Sequence, residues 1–586
     1  MKRSITLFIL ATICVLAAIS CPADPSLVTI QQPDGGVVTI QLIGDEYFHY
    51  TATADGYTVV MNERNGAYEY AINDDNRLKP SGVTAHDSGA RNDSEVKLLS
   101  SIGRHIHSVQ EKTASQARRA VAMERRRQEP AINYNAFKGL VVLINFTDKK
   151  FGMENPNEFY SQMLNQRGYT GFEFGGKFQE CPGSACDYFS DNSNGIFEPQ
   201  FDVIGPVEAN YSCLDGRDKS WEIFNSVLDQ IDSEVDFTQY DADDDGEVDM
   251  VFFMVAGYSS NYAGNNQNYL WPHMSSLSGY HEHEWQFPAH DNLLMGKYAC
   301  SSEIYGWERY GDTMPMGIGT FCHEFSHVLG LHDLYDTDGE GSGGLSNHPD
   351  RWSVMAKGST LNYGRTPVAY TIYERYALGF SHPQEIIDPG KYTLNYVGTT
   401  GEGFILRSPV EGEFFMLDNR QQIKWDSQLP HHGLTVWRVD STDVRAWINN
   451  RVNVKPSHNH LELVRAGGST STYPRFDPFP GLGNVTELSA LTTPALVTWK
   501  GIPVEKTIKN ITEADGVITF TVLDGVVGPI TGDINNDGEI NISDVNALLN
   551  LILSDNPPAG GKADVNLDNE LNIADVNALI QTIFTH

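Results

Sequence analysis

The chain has 586 residues and a mass of 65.0 kDa, which is too long for one hydrophobic core and predicts several domains. Hydrophobic residues make up 40% of it and charged residues 20%, which is a globular composition and excludes wholesale disorder. The net charge of −35 disfavours binding to nucleic acids and to anionic membrane surfaces, and it suggests that some carboxylates hold cations.

The N-terminus predicts export. A basic start at Lys2 and Arg3 precedes an apolar run, and we interpret residues 1–20 as a secretory signal peptide rather than a membrane anchor. No later segment reaches 18 apolar residues, so we expect no integral membrane segment after cleavage. The protein is therefore expected to be secreted and extracellular. Lipidation at Cys21, which follows a loosely lipoprotein-like sequence, stays an alternative.

Short strands and turns are predicted between residue 22 and about residue 100, after which the composition changes. Seven basic residues stand against two acidic ones between residues 101 and 127. In a chain otherwise this acidic, such a segment is an exposed face or a junction that proteases cut easily. A propeptide would require an enzyme domain directly after this junction.

A catalytic domain is predicted over residues 131–380, because continuous apolar runs at 138–147 and 248–257 are typical of buried strands. Short alternating strands with Gly and Pro turns then predict a β-rich module over residues 381–525, including a strand from Gly433 to Asp440. Cys181 and Cys186 are near enough in sequence to form a local disulfide, although five body cysteines leave the pairing open.

The segment from Cys322 to Asp333 predicts a metal centre. On a helix, His323 and His327 are four residues apart, so both imidazoles face the same side and can hold one zinc ion. Glu324 lies beside that ion, where its carboxylate can take a proton from water. Gly330 can end the helix in a left-handed turn that brings the following residues back toward the metal.

The third zinc ligand has two candidates. Asp333 is a legitimate zinc ligand and stands where metzincins usually have a histidine, and we expect it to be the ligand. Glu374, on a helix predicted from Pro367 to Leu378, is the alternative, since other zinc peptidases take a glutamate from a later helix. Downstream, Met355 lies in a segment that resembles the Met-turn of metzincins.

Several segments between residues 138 and 520 resemble the immune inhibitor A family of secreted bacterial metallopeptidases. They are His323–Asp336, Asp187–Gly195, Asp241–Asp249, Trp271–His273 and Met416–Gln421. His332 replaces the usual proline of the family, and Asn261 stands where an acidic residue is expected. The resemblance implies zinc, peptide or protein substrates and an N-terminal latency segment, so residues 22–128 are predicted to be a propeptide and basic linker.

An acidic loop earlier in the chain is a second candidate cation site. Asp241, Asp243 and Asp245 start like an EF-hand loop, but the twelfth position is Phe252 rather than an acidic residue. The loop is therefore either a structural calcium site with remote ligands or a plain acidic turn.

The C-terminal end of the chain contains a duplicated loop and helix, predicted as a domain over residues 531–586. Oxygen-bearing side chains recur at loop positions 1, 3, 5 and 12, as calcium requires. These candidate ligands are Asp533, Asn535, Asp537 and Asp544 in the first loop and Asp564, Asn566, Asp568 and Asp575 in the second. The repeats resemble a type I dockerin, which implies a cohesin-bearing scaffold protein as partner.

Together these features predict a multidomain α+β protein: a β-rich propeptide, a metzincin-like zinc peptidase domain, a β-rich module and a small α-helical dockerin. The expected function is that of a secreted zinc endopeptidase made as a zymogen and anchored to a cohesin-bearing assembly. The alternative is a catalytically silent protein that binds glycan or scaffold. Trp437, Phe476 and Phe479 are aromatic residues that could line a sugar site or belong to the core.

Overall fold

The computed structural model describes residues 19–20, 23, 27–44, 49–74, 77–107, 132–262, 268–281, 284–468, 474–525, 532–535, 540–554, 563–566 and 570–585. Several predicted features lie outside these residues. They are most of the signal peptide, Cys21, the part of the basic linker from residue 108 onward, and the loop positions Asp537 and Asp568.

The N-terminal unit is an antiparallel sheet whose six strands follow one another in chain order. The strands are β2 (Val28–Gln31), β3 (Val37–Gly44), β4 (His49–Thr53), β5 (Thr58–Asn62), β6 (Ala67–Asp74) and β7 (Arg77–Thr84). Helix α1 (Asp93–Leu99) follows, and the Asn92 side chain caps it by accepting from the backbone N–H groups of Ser94 and Glu95. The β-rich character predicted for this region is confirmed.

The centre of the molecule is a mixed sheet with the strand order β1-β14-β19-β13-β8-β11. These strands are β1 (Ile19–Ser20), β14 (His273–Ser276), β19 (Lys297–Ser302), β13 (Val251–Val255), β8 (Lys138–Asn145) and β11 (Gln200–Glu208). Strand β8 pairs in parallel with both neighbours, as its continuous apolar run predicts. Ile19 and Ser20 belong to the predicted signal peptide, so cleavage after Ser20 would remove β1.

The single strand predicted over 248–257 is wrong. Val248 pairs with Met295 in a small separate sheet, whereas Val251 starts a new strand beside Leu140 and Tyr298. The smaller sheets are β9 (Gly171–Phe174) with β10 (Lys177–Glu180), β12 (Glu247–Val248) with β18 (Leu293–Met295) and β17 (Ala289–His290), and β15 (Gly279–His281) with β16 (Glu284–Gln286).

Helices cover both faces of the central sheet, because alternate residues of β8 point to opposite sides. Val141 and Leu143 join one hydrophobic cluster, and Leu140, Val142 and Ile144 join the other. The helices of this domain are α2 (Pro156–Asn165), α3 (Ala185–Asn192), α4 (Ser220–Ile231), α5 (Gly319–Val328) and α6 (Ile372–Ala377).

Two sheets make up the β-rich module. The larger contains β20 (Gln384–Glu385), β22 (Phe404–Arg407), β23 (Glu413–Arg420), β24 (Gly433–Asp440) and β25 (Leu461–Val464). The smaller contains β21 (Gly390–Leu394), β27 (Val517–Asp524) and β26 (Lys506–Ala514), and the short helices α7 (Val397–Thr400) and α8 (Val444–Ile448) lie between strands. The predicted strand from Gly433 to Asp440 is confirmed.

The cysteines of the described residues are all free thiols, so the disulfide considered between Cys181 and Cys186 does not form. The Cys186 thiol instead donates to the carbonyl oxygen of Pro199 at 2.8 Å. Among the described residues, no helix is both long and apolar enough to cross a membrane.

The C-terminal unit is a pair of helices, α9 (Ile542–Ile552) and α10 (Ile573–Thr585). They pack through a small cluster of buried residues, which are Val545, Leu548, Ala563, Val576 and Leu579. The chain is thus a mixed α/β multidomain protein, and both helices predicted after the repeated loops are present.

Candidate metal centre

Helix α5 carries the predicted HExxH motif and is buried along its whole length. Its first turn lies against the backbone at Ser359, where a Cβ on Gly319 would stand 1.9 Å from the carbonyl oxygen, so only glycine fits. The helix ends at Val328, and Gly330 follows with a φ of 112°. That positive φ turns the chain back toward the helix, as predicted.

Backbone carbonyls orient both histidines. His323 Nδ1 donates to the carbonyl oxygen of Val354 at 2.8 Å, and His327 Nδ1 donates to that of Leu331 at 2.9 Å. Because a carbonyl only accepts, each Nδ1 carries the proton and each neutral ring offers Nε2 as a lone-pair donor. Val354 directly precedes Met355, so the Met-turn segment supports the first histidine.

Asp333 closes a triangle of ligand atoms with the two histidines. The Nε2 atoms lie 3.2 Å apart, and Asp333 Oδ1 lies 3.3 Å from His323 Nε2 and 3.2 Å from His327 Nε2. A tetrahedral zinc ion with bonds of about 2.0–2.1 Å separates its ligand atoms by roughly 3.3 Å. The three donor atoms therefore fit one zinc ion without rearrangement.

The ionisation of these groups suits metal binding. Burial lowers the pKa of His327 to about 4, outweighing the opposite effect of the Asp333 charge. Burial also opposes ionisation of Asp333, but the two histidines hold the pKa of its carboxyl below the usual range. Neutral imidazole and ionised carboxylate are the forms that bind zinc.

Glu374 lies elsewhere and has a different task. Its helix begins at Ile372 rather than at Pro367, because the Thr371 side chain caps it and Glu374 Oε2 accepts from the Thr371 backbone N–H at 2.7 Å. Glu374 Oε1 accepts from Ser353 Oγ at 2.6 Å, and Ser353 Oγ accepts from the Met355 backbone N–H at 3.0 Å. Glu374 therefore supports the Met-turn instead of joining the ligand triangle.

Asn450 is a supporting residue that sequence reasoning missed. Its Nδ2 donates to Asp333 Oδ2 at 2.5 Å, while its Oδ1 accepts from the Asp333 backbone N–H at 2.8 Å. This two-point contact leaves Oδ1 of Asp333 facing the histidines. Asn450 lies 117 residues after Asp333, in the segment between β24 and β25, and no local pattern marks it.

Glu324 follows His323 on helix α5 and is fully buried. In the sequence of the helix, Glu324 lies between the two candidate histidine ligands. A carboxylate close to a bound zinc ion would be able to take a proton from water, as general-base catalysis requires.

The acidic loop at residues 241–249 brings its carboxylates together as predicted. Ligand atoms of Asp241, Asp243 and Asp245 lie within 4.8 Å of one another. Burial raises the pKa of Asp249 to about 6, and the charges of the other three add to the effect. A cation bound here would relieve this repulsion.

The two C-terminal loops have matching internal contacts. In the first, Asp544 Oδ1 accepts from the backbone N–H groups of Ile534 and Asn535 at 2.8 and 3.0 Å. In the second, Asp575 Oδ1 accepts from those of Val565 and Asn566 at 2.8 and 3.2 Å. The position-12 aspartate thus closes each loop, while Asp533 and Asp564 are also buried.

Comparisons with known proteins identify two regions of the chain. Residues 133–375 match the immune inhibitor A peptidase M6 catalytic domain, and residues 531–584 match the type I dockerin domain. The chain is also similar to the pre-pro-metalloprotease PrtV of two Vibrio cholerae serotype O1 strains, M66-2 and ATCC 39315 (El Tor Inaba N16961). Identity to each is 23% over 257 residues, which covers 39% of this chain and 26% of each relative. The chain thus contains a peptidase M6 catalytic domain and a type I dockerin domain.

Proposed function

We propose that this protein is a secreted zinc-dependent endopeptidase that hydrolyses peptide bonds of extracellular proteins. The observation that carries the proposal is the triangle of His323, His327 and Asp333, whose donor atoms have the separations of a zinc coordination sphere. Glu324 beside it supplies the general base that distinguishes a catalytic centre from a structural one.

Each residue of the centre has a defined role in this reaction. Zinc supplies Lewis acidity, which acidifies water and polarises a peptide carbonyl. His323, His327 and Asp333 hold the ion, and Asn450 orients Asp333. A carboxylate oxygen of Glu324 accepts a proton from the attacking water and delivers it to the amine nitrogen as the C–N bond breaks.

Two of the three aromatic residues considered for a sugar site do not support the alternative of a silent glycan-binding protein. Trp437 and Phe479 are fully buried, so they belong to the core and offer no face to a sugar, whereas Phe476 is half-buried.

We further propose that residues 22–128 are a propeptide that keeps the enzyme latent. The N-terminal sheet packs on the catalytic domain. A Cβ on Gly339, six residues after Asp333, would lie 3.4 Å from Ile43, and the His49 ring lies 4.6 Å from the Trp271 ring. A sheet in this position can block access of a protein substrate to the centre.

The remaining parts of the proposal concern calcium binding and the attachment of the enzyme to a scaffold. The loops that contain Asp533, Asn535 and Asp544, and Asp564, Asn566 and Asp575, are proposed to bind calcium, as is the loop of Asp241, Asp243 and Asp245. The dockerin is proposed to attach the enzyme to a cohesin-bearing scaffold outside the cell.

Casein digestion tests the proposal. The purified precursor is assayed before and after limited trypsin treatment, each with and without a zinc chelator. We expect activity only after trypsin and only without chelator. Activity that resists zinc removal would refute the catalytic assignment, and full activity of the uncut precursor would refute the propeptide assignment.

A further inference from the structure

A second group of potential metal ligands lies outside the catalytic centre. Asp440 ends strand β24, and His458 and His460 directly precede strand β25, so the pairing of these strands brings the three together. Their ligand atoms all lie within 4.8 Å of one another. Asp440 Oδ2 lies 2.6 Å from His458 Nε2 and 3.6 Å from His460 Nδ1.

The two buried members of the group are poised for a ligand. His460 is 7% exposed, and its Nδ1 has no hydrogen-bond partner. A buried polar atom left without a partner costs stability, so such an atom calls for an explanation. The Asp440 carboxylate is 2% exposed.

Neighbouring contacts fix the direction of these groups. The backbone N–H and the hydroxyl of Thr442 both donate to Asp440 Oδ1, at 2.8 and 2.6 Å, which leaves Oδ2 facing the imidazoles. The His458 ring stacks on Trp499 with centroids 4.8 Å apart. Contacts of this kind behind a ligand are typical of metal sites.

We propose that Asp440, His458 and His460 bind a divalent transition-metal ion, zinc above all, at a site separate from the catalytic centre. Two imidazoles and one carboxylate are a zinc-type donor set, whereas calcium takes oxygen ligands only. The His458 side chain is 39% exposed, so it can move by the fraction of an ångström that lengthens its contact with Asp440 to the spacing of zinc ligands.

The surroundings leave room for a further ligand. A cavity of about 140 Å³ borders both histidines, which is enough for water molecules of roughly 30 Å³ each. Three basic side chains also line it, Arg445, Arg451 and Lys455. Arg451 is paired with Asp338 at 3.0 Å, so part of this positive charge is already balanced.

The position of the site suggests its role. The metal would join the two ends of the segment 441–460, which carries Asn450 to the Asp333 carboxylate. Within this segment, Trp447 Nε1 donates to the carbonyl oxygen of Asp440 at 2.8 Å. A metal at the base of the segment would therefore stiffen the support of the catalytic centre, without touching substrate.

Metal analysis of full-length variants tests this inference independently of catalysis. The full-length variant His323→Ala lacks one of the proposed catalytic zinc ligands. Zinc that this variant holds after dialysis against a buffer with zinc and calcium is therefore bound at another site. We expect one zinc per chain in His323→Ala and none in His323→Ala/His460→Ala. His323→Ala/His382→Ala is the matched control, since His382 is an exposed histidine of the same module, and it should keep its zinc.

A milder variant covers the case in which His460→Ala fails to fold. His458→Gln in the His323→Ala background should weaken zinc binding at least tenfold in competition with a chelating dye, because the part-exposed ring is lost with little effect on packing. The inference is overturned if His323→Ala holds no zinc, or if the loss of either cluster histidine leaves zinc binding unchanged.

Discussion

The candidate metal centre and the C-terminal loops both collect potential metal ligands, but they are built on cores of very different size. The triangle of His323, His327 and Asp333 is buried in the catalytic domain, and backbone carbonyls and Asn450 fix its geometry. The C-terminal unit has only a small buried cluster between two helices, and it gathers carboxylates that repel one another. A metal ion should therefore supply reactivity at the first region, which is folded without it, and should stabilise the folded state of the second.

The most stringent test of this comparison concerns the third zinc ligand. Asp333→Ala should remove the zinc of the catalytic centre and with it the activity, because a two-histidine site binds zinc far more weakly. Glu374→Ala should keep much more zinc, since Glu374 acts on the Met-turn and not on the ion. The measurement is zinc content of the two purified variants, and the reverse order would move the site to Glu374.

Calcium removal should unfold one region and spare the other. A fragment of residues 529–586 should be largely unstructured in chelator and become helical when calcium is added, because the ion offsets the repulsion among the loop carboxylates. The Asp533→Ala/Asp564→Ala double variant should stay unstructured. Circular dichroism is the readout, and identical spectra with and without calcium would contradict the dockerin assignment. Cohesin binding should show the same calcium dependence.

A smaller effect is expected at Asn450. Asn450→Ala removes both contacts to Asp333, and loss of such a supporting residue typically weakens metal binding by about 10–100-fold. Asn449→Ala is the matched control, because it is the neighbouring residue and does not contact Asp333. Equal zinc affinities for the two variants, measured by competition with a chelating dye, would remove Asn450 from the account.

The sequence predicts the parts of the site that depend on local spacing. The i, i+4 histidines, Glu324, the glycine turn and Asp333 lie within eleven residues, so helix geometry and the turn at Gly330 bring the three candidate ligands together. Asn450 and the cluster of Asp440, His458 and His460 depend instead on strand pairing in another sheet. The short separation of His458 and His460 was a visible signal, but its aspartate partner is 18 residues upstream and only the register of β24 and β25 reveals it.

The boundaries of the predicted helices and strands differ in the same way: local patterns predict some of them, and others depend on contacts with distant residues. The buried strand β8 is predicted because its apolar run is continuous, and the loop-helix repeats are predicted because their oxygen-bearing residues recur at a fixed spacing. The predicted strand over 248–257 is wrong because two halves of one apolar run pair with different sheets, a fact that no local pattern contains. The helix of Glu374 starts late because Thr371 caps it.

In the N-terminal unit, a protonated histidine rather than a metal ion lies between neighbouring carboxylates. His86 contacts Glu95 and Asp34, each at 3.1 Å. Burial alone would lower the pKa of His86, but hydrogen bonds to Glu95 and Asp34 raise it above 6.5. The charged imidazole therefore stabilises this unit fully below about pH 6.5, and the contribution is lost as the pH rises through the raised pKa.

This is the smallest expected effect, a change of a few degrees in melting temperature. In a Glu324→Gln background, which prevents self-digestion, the difference in melting temperature between the chains with and without His86→Gln should shrink between about pH 6 and pH 8. A difference that stays constant over this range would show that His86 contributes through packing and not through its charge.

Casein hydrolysis by trypsin-activated wild-type protein and by Glu324→Gln, measured alongside zinc content at constant calcium, tests the central claim most directly. We expect wild-type hydrolysis to vanish on zinc removal and to return with zinc. Glu324→Gln should bind as much zinc as the wild type and lose roughly 10²–10⁴-fold or more in rate, because an amide cannot act as the general base. Near-normal hydrolysis by Glu324→Gln, or wild-type hydrolysis that persists without zinc, would contradict the account.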